Sequence, residues 1–126
     1  MTSHPKDHLR EGIKLFNRER FFECHEVLEE TWLEASGEQR TFLQGLIQVA
    51  VAFYHLRREN LVGASRLLTA GMEKLSGFAP ERDAVDIAAL LAALQPLQEA
   101  AAAGTIRPDC QVPRILVNNQ PVSSAE

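Results

Sequence analysis

The segment from Thr41 to Leu56 carries no formally charged residue, and this feature constrains the fold more than any other. Apolar side chains surround the helix that the segment predicts, and a helix that is apolar on every side lies in the middle of a fold. The segment is shorter than the roughly 20 apolar residues that a membrane span needs, and polar side chains interrupt it. It therefore predicts the central helix of a globular protein, with no association with a membrane.

Four further helices are predicted around this central one from the recurrence of apolar side chains and from the positions of glycine and proline. Asn60 is expected to cap the fourth helix. Pro80, Glu81 and Asp83 are expected to open the fifth, which Pro96 should kink or restart. The first four helices are predicted at about residues 4–18, 21–36, 38–58 and 60–77, and the fifth ends before Gly104.

This pattern predicts an all-α protein, a compact bundle of about five helices made of two helical hairpins plus a C-terminal helix and an extended tail. Residues 1–104 are expected to form the helical domain. Residues 105–126 are rich in proline and are expected to form an extended tail, partly docked through residues 115–117. Residues 18–22 resemble residues 58–62 at an offset of 40 positions, which suggests tetratricopeptide-like stacking of two hairpins.

The composition of the chain argues against several classes of partner and location. The net charge is −4 and no segment clusters Lys and Arg, so nucleic acid is not expected as a partner. The first ten residues are polar and do not resemble a signal peptide. The two cysteines, Cys24 and Cys110, form no disulfide framework. A cytoplasmic protein with reduced thiols is expected, and its small size is compatible with a homodimer.

The central helix carries one polar stripe. Gln44, Gln48 and His55 fall within about 40° of one another on a helical wheel. Neutral amides and an imidazole occupy this stripe, beside the small residues Gly45 and Ala52, where a solvent-facing stripe would carry charges. The stripe therefore predicts a close and largely buried contact with another helix.

The second helix offers the matching groups. Phe22 and Leu33 are expected to widen the edge of its apolar stripe, and His25 and Glu29 fall within that stripe, one turn apart. Because the connection between the two helices is short, they should pack antiparallel, with Glu29 near Gln44 and His25 near Gln48 or His55. We call this predicted contact the seam. Its candidate pocket residues are His25, Glu26, Glu29, Arg40, Gln44, Gln48 and His55.

Three interpretations of the seam compete. It could be a structural network that fixes the register of the helices, since buried polar groups are usually paired. It could bind a small ligand or a divalent metal ion, the only cofactor considered, with His25, Glu26, Glu29 and His55 as metal ligands. It could also perform general acid–base catalysis without a metal, with His25 oriented by Glu29. Cys24 lies on the apolar stripe, so a packed thiol is favoured over a nucleophile.

Two runs of residues resemble the signature of the prokaryotic family called domain of unknown function three hundred and nine. One extends from Phe16 to Trp32 and contains a His-Glu-x-x-Glu-x-x-Trp motif; the other extends from Phe42 to Gln48. The resemblance covers about residues 9–75 and implies a compact helical bundle without an assigned activity. The family tends to have glycine where this chain has Glu19 and Glu59. Its motif residues correspond to His25, Glu26, Glu29, Trp32, Arg40, Gln44, Gln48 and His55.

The sequence thus leaves two functional hypotheses. The first is a helical domain whose His/Glu/Gln pocket binds a small ligand or a metal ion, with an enzymatic role left open. The second is a tetratricopeptide-like interaction module in which the seam is only structural. The second predicts a contiguous exposed apolar groove.

Overall fold

A computed structural model describes residues 5–118, 120 and 121 of the chain. In chain order, the helices are α1 Pro5–Asn17, α2 Phe21–Glu34, α3 Gly37–Arg57, α4 Leu61–Leu75 and α5 Ile87–Ala102, and a short 3-10 helix, Ser76–Phe78, follows α4. The strands are β1 Glu81–Arg82, β2 Val85–Asp86, β3 Leu116–Val117 and β4 Gln120–Pro121. The predicted all-α class and the five helices are confirmed.

Helix α3 is the centre of the bundle, as its composition predicts. It packs against α2 on one side and α4 on the other, and its Phe42, Val49 and Ala50 are completely buried. The described residues share one hydrophobic core, which extends from Leu9 in α1 to Val117 in β3. No helix of the described part is long and apolar enough to cross a membrane.

The two turns that join α1 to α2 and α3 to α4 have the same geometry. Glu19 and Glu59 adopt left-handed backbone conformations, with φ of 62° and 64°. In each turn the residue that follows donates its N–H to a carbonyl five positions earlier, from Arg20 to Leu15 and from Asn60 to His55, both at 2.8 Å. The sequence repeat at 40 positions is therefore also a repeat of the backbone. Both turns require the conformation that favours glycine, although this chain has glutamate there.

The prediction for the start of the fifth helix is wrong. Asp83 and Ala84 both have positive φ, 53° and 67°, which makes the two-residue turn of a β-hairpin between β1 and β2. Asp86 caps α5 by accepting a hydrogen bond from the Ala89 N–H at 2.9 Å. The helix then continues through Pro96, which lies on its exposed side, without restarting.

The segment after α5 packs on the bundle. Ile106, Val112, Ile115 and Val117 are buried, and β3 pairs with β2 in a small antiparallel sheet of order β1-β2-β3-β4. The Asn17 side chain holds this segment by two hydrogen bonds to the backbone of Ile115, at 2.8 and 3.0 Å. Sequence periodicity did not predict the sheet because each strand is only two residues long.

Candidate functional site

Two contacts fix the register of α2 against α3. At one end of the seam the Arg40 guanidinium lies 4.0 Å from the centre of the Trp32 ring. At the other end the rings of Phe22 and Tyr54 are 5.5 Å apart, centre to centre. The two helices are therefore antiparallel, as predicted from their short connection. His25 and Gln48 lie between these two contacts along their helices.

His25 and Glu29 form the pair that their one-turn spacing predicts. The Nε2 atom of His25 lies 3.8 Å from Oε2 of Glu29. The His25 side chain is 25% exposed, and its ring packs against Phe22 at 5.5 Å, whereas the Glu29 side chain is 51% exposed. The pair thus lies at the border of the seam with solvent, where water weakens the attraction between the two groups.

Three buried polar atoms of the described residues have no hydrogen-bond partner, and all three belong to α2 and α3. They are Nδ1 of His25, Nε1 of Trp32 and Oε1 of Gln48. The indole N–H can only donate and the amide oxygen can only accept, while the imidazole nitrogen does either according to its tautomer. Because an unpaired buried polar atom costs about 1 to 3 kcal/mol, three such atoms on adjoining helices set the seam apart from the rest of the core.

His55 lies at the far end of the stripe and has its own partners. Its Nδ1 atom lies 3.3 Å from the Asn60 side-chain nitrogen, and its ring packs on Tyr54 at 5.8 Å. The first contact joins His55 to the turn between α3 and α4, and the second joins it to its neighbour along α3. No contact between His55 and His25 or Glu29 is found among the described residues.

The four residues predicted as metal ligands do not assemble a metal site. Within residues 5–118, 120 and 121, no three side chains of His, Cys, Asp or Glu are placed to hold a metal ion. His25 and Glu29 form a pair, Glu26 is exposed, and His55 contacts Asn60. The metal interpretation of the seam thus lacks a ligand set in the described part of the chain.

The two remaining predicted residues differ in exposure. Gln44 is partly buried, and Arg40 is exposed with its guanidinium stacked on Trp32. Four surface grooves formed by the described residues lie elsewhere, between α4 and α5, beside the β-hairpin and beside Arg57.

Cys24 is not a nucleophile in this structure. Its side chain is 1% exposed in the core beneath α2, and burial raises the pKa of the thiol to about 12. The thiolate is the reactive form of cysteine, so the thiol is inert near neutral pH. This agrees with its interpretation as a packed residue.

Sequence reasoning misplaced the two large apolar residues at the ends of α2. Phe22 is 50% exposed and Leu33 is 64% exposed, although both were expected to widen the buried stripe. On a helical wheel both lie more than about 90° from Leu28, the centre of the buried side, and this angle was available from the sequence. Gly45 makes a close helix contact, as its place beside the polar stripe predicts, and its neighbours there are Gly71 and Leu75 of α4.

The comparisons with known proteins agree with the motif resemblance. Residues 9–67 match the family model described as "Domain of unknown function (DUF309)". The "Uncharacterized protein YpuF" of Bacillus subtilis (strain 168) is 42% identical over 66 residues, which cover 52% of this chain and 38% of that protein. The chain thus matches less than half of that relative's length. The resemblance to a prokaryotic family of unknown function is confirmed, and the matched residues include the whole of α2 and α3.

Proposed function

We propose that the protein is a binding module and that the seam between α2 and α3 is a recognition site for a small polar ligand. The observation that carries this proposal is the set of unpartnered buried atoms on His25, Trp32 and Gln48. A ligand that bonds to these atoms would relieve their desolvation, which the folded chain alone does not. We propose a ligand without a metal ion, because no three metal-ligating side chains converge in the described residues.

The seam also suggests the chemistry of the ligand. At one end the Trp32 N–H and the Arg40 guanidinium favour a hydrogen-bond acceptor, such as a carboxylate or a carbonyl oxygen. Nearer the middle, the Gln48 oxygen and the exposed Glu29 carboxylate favour a donor, such as an amine. A small molecule with an acceptor at one end and a donor at the other, for example a free amino acid, fits this order.

The test uses Trp32, the only tryptophan of the chain. Its indole N–H gives one resonance in a proton–nitrogen correlation spectrum, and its fluorescence reports the same site. A panel of free amino acids, dicarboxylic acids and diamines would be added to the whole protein in turn. We expect an amino acid to shift the indole resonance and to raise the melting temperature, because a ligand that binds only the folded state stabilises it.

Matched variants separate recognition from general effects. Trp32→Phe and Gln48→Leu should each remove one ligand contact and weaken binding at least about tenfold, the effect of losing one good hydrogen bond. Gln95→Leu changes an exposed glutamine on α5 and should leave binding unchanged. If no compound shifts the indole resonance while Gln48→Leu raises the stability of the free protein, the unpaired atoms are a packing defect and the proposal fails.

A second candidate is the interaction module with tetratricopeptide-like hairpins. The repeated turn geometry at Glu19 and Glu59 favours it, because two helical hairpins of the same construction follow one another at 40 positions. In this view the polar atoms of the seam only fix the register of α2 and α3. The variants above decide between the candidates, since the module predicts no small-molecule ligand at Trp32.

A further inference from the structure

The negative charge of the chain is concentrated on α2. This helix contains five glutamates and no Lys or Arg. Without these five, the 17 acidic residues of the chain become 12, against 13 basic residues. The rest of the molecule is therefore nearly neutral, and α2 alone accounts for the net charge.

Glu26 and Glu29 share one exposed stripe with Phe22 and Leu33. The spacing is i, i+4, i+7 and i+11, which places all four side chains within roughly 60° of one another on α2, at the border of the seam with solvent. Phe22 and Leu33 are 50% and 64% exposed, and both glutamates are exposed. The two apolar ends lie about 16 Å apart along the helix axis, at a rise of 1.5 Å per residue. We call these four residues the α2 stripe.

Two members of the α2 stripe have contacts within the chain, since Phe22 packs on Tyr54 and Glu29 pairs with His25, but the glutamates beside them are poorly compensated. Glu26 lies one turn from Glu30, and Glu30 one turn from Glu34, and like charges at this spacing destabilise a helix. Among the described residues, none of these three glutamates forms a salt bridge. Two large apolar side chains also remain half exposed or more beside them.

We infer that the α2 stripe docks a basic amphipathic helix of a partner protein. Packed helices meet along stripes with this spacing, so a partner helix with apolar side chains at both ends would cover Phe22 and Leu33. Lysine or arginine at its centre would face Glu26 and Glu29 and offset their repulsion. The α2 stripe shares Glu29 with the proposed ligand site but contains neither Trp32 nor Gln48, so failure of the small-ligand proposal at those two residues would leave the docking inference standing.

Charge argues against the other occupants of this surface. If a second copy of the chain docked stripe to stripe with two-fold symmetry, Glu26 and Glu29 would face Glu29 and Glu26 of the copy. Like charges that face each other in an interface repel and disfavour that complex. The phosphates of a nucleic acid would be repelled in the same way. A cationic partner is the occupant that the surface complements.

The experiment uses the whole protein and a synthetic probe. The probe is an alanine-based peptide helix with leucine at its fourth and fifteenth positions and lysine at its eighth and eleventh. Its control carries glutamate in place of both lysines. Binding is measured by calorimetry at low salt, and α2 resonances identify the docking surface. We expect the lysine peptide to bind at least about tenfold more tightly than the glutamate peptide.

Variants of exposed residues test which surface is used. The double variant Glu26→Lys with Glu29→Lys should reverse the preference, so that the glutamate peptide binds better. Leu33→Gln should weaken binding of the lysine peptide about fivefold, because it removes one apolar anchor. The matched control, Glu30→Lys with Glu34→Lys, makes the same change of charge on the flank of α2. Binding of the lysine peptide to the two double variants is then compared. If Glu30→Lys with Glu34→Lys weakens it as much as Glu26→Lys with Glu29→Lys does, only net charge matters and the proposed docking surface is wrong.

Sedimentation of the protein alone tests the remaining occupant. A monomer at the concentrations of the titration supports a surface that is free for a partner. A dimer that dissociates when Leu33 is replaced by glutamine would show that a second copy covers the α2 stripe, and would overturn the inference. Equal binding of both peptides to the native protein would also overturn it.

Discussion

Helix α3 packs most extensively against α4 and α2, and these two contacts differ. Toward α4 the backbones meet through glycine: a Cβ atom placed on Gly71 would lie 2.8 Å from the Gly45 carbonyl oxygen and 2.9 Å from Cγ2 of Val49. Where α3 meets α2, Arg40 stacks on Trp32 and Tyr54 packs on Phe22, and buried polar atoms of His25, Trp32 and Gln48 on these two helices remain unpaired. One side of α3 is packed to contact, while the other keeps unused hydrogen-bonding capacity.

The two contacts of α3 are therefore expected to have different roles, one in folding stability and the other in recognition. An apolar contact without spare volume contributes to folding and leaves no room for a ligand. A contact with unpaired donors and acceptors contributes less to folding, yet it can bond to a second molecule. We therefore expect substitutions on the α4 side of α3 to change the free energy of unfolding, and substitutions on the α2 side to change binding.

The largest effect is expected for Gly71→Ala. The added Cβ would clash with the Gly45 backbone and with Val49, so α3 and α4 must move apart. We expect the free energy of unfolding, measured by urea denaturation, to fall by about 2 to 3 kcal/mol despite the higher helix propensity of alanine. Gly77→Ala is the control, because nothing lies within 4 Å of its added Cβ. Equal stability of both variants would show that the close contact of α3 and α4 is absent in solution.

The second prediction uses the pH dependence of stability to compare the buried side of α2 with its exposed side. Burial raises the pKa of Cys24 to about 12 from its ordinary value of 9.0, so the folded state keeps its proton where the unfolded state loses it. This contribution to stability is complete below about pH 9 and is lost as the pH rises toward 12. Between about pH 8 and 10, we expect the native protein to lose about 1.5 kcal/mol more stability than Cys24→Ala does.

The matched measurement for this prediction uses the exposed side of the same helix. Glu26→Gln changes an ionisable group that is exposed, and it should show the same pH dependence as the native protein in this range. A Cys24→Ala variant that loses as much stability as the native protein between the two pH values would mean that the thiol is not desolvated. In that case the core beneath α2 would be open to water.

The third prediction concerns the turn between α3 and α4. Glu59 is exposed and has a φ of 64°, a conformation that strains every residue with a Cβ atom more than it strains glycine. We expect Glu59→Gly to raise the free energy of unfolding by about 1 kcal/mol. The control is Glu73→Gly, within α4, where glycine should lower the free energy of unfolding by about 1 kcal/mol. A loss of stability in both variants would contradict the left-handed turn.

The smallest effect is expected on the α2 side of α3. Gln48→Met keeps the length of the side chain and removes an amide oxygen that has no partner among the described residues. We expect the stability of the free protein to stay within about 0.5 kcal/mol of the native value, or to rise slightly, because no hydrogen bond is lost. Thermal and urea unfolding without ligand measure this.

A paired amide provides the contrast. Asn17→Leu removes a side chain that bonds to both the N–H and the carbonyl of Ile115, so two buried backbone groups lose their partners. We expect Asn17→Leu to lower the free energy of unfolding by about 2 kcal/mol or more. If Gln48→Met costs as much as Asn17→Leu, the Gln48 oxygen has a partner in solution, and the seam is a structural network.

The sequence by itself determined the helices and the position of α3, because helix periodicity and charge-free composition act over long segments. It also determined the cap at Asn60, whose side chain accepts from the Gly63 N–H at 3.0 Å, and the pairing of His25 with Glu29 one turn away. These features depend on neighbours within four residues along the chain. Local spacing was enough to predict them.

Only the tertiary structure decided which side of each helix faces which neighbour. Gly45 was predicted at a close contact with another helix, and the structure shows that this helix is α4. The hairpin of β1 and β2 depends on positive φ at Asp83 and Ala84 and on pairing with β3, 32 residues away at Val117. A helical pattern gives the angle between side chains on one helix, but the orientation of that helix toward its neighbours depends on packing between segments distant in sequence.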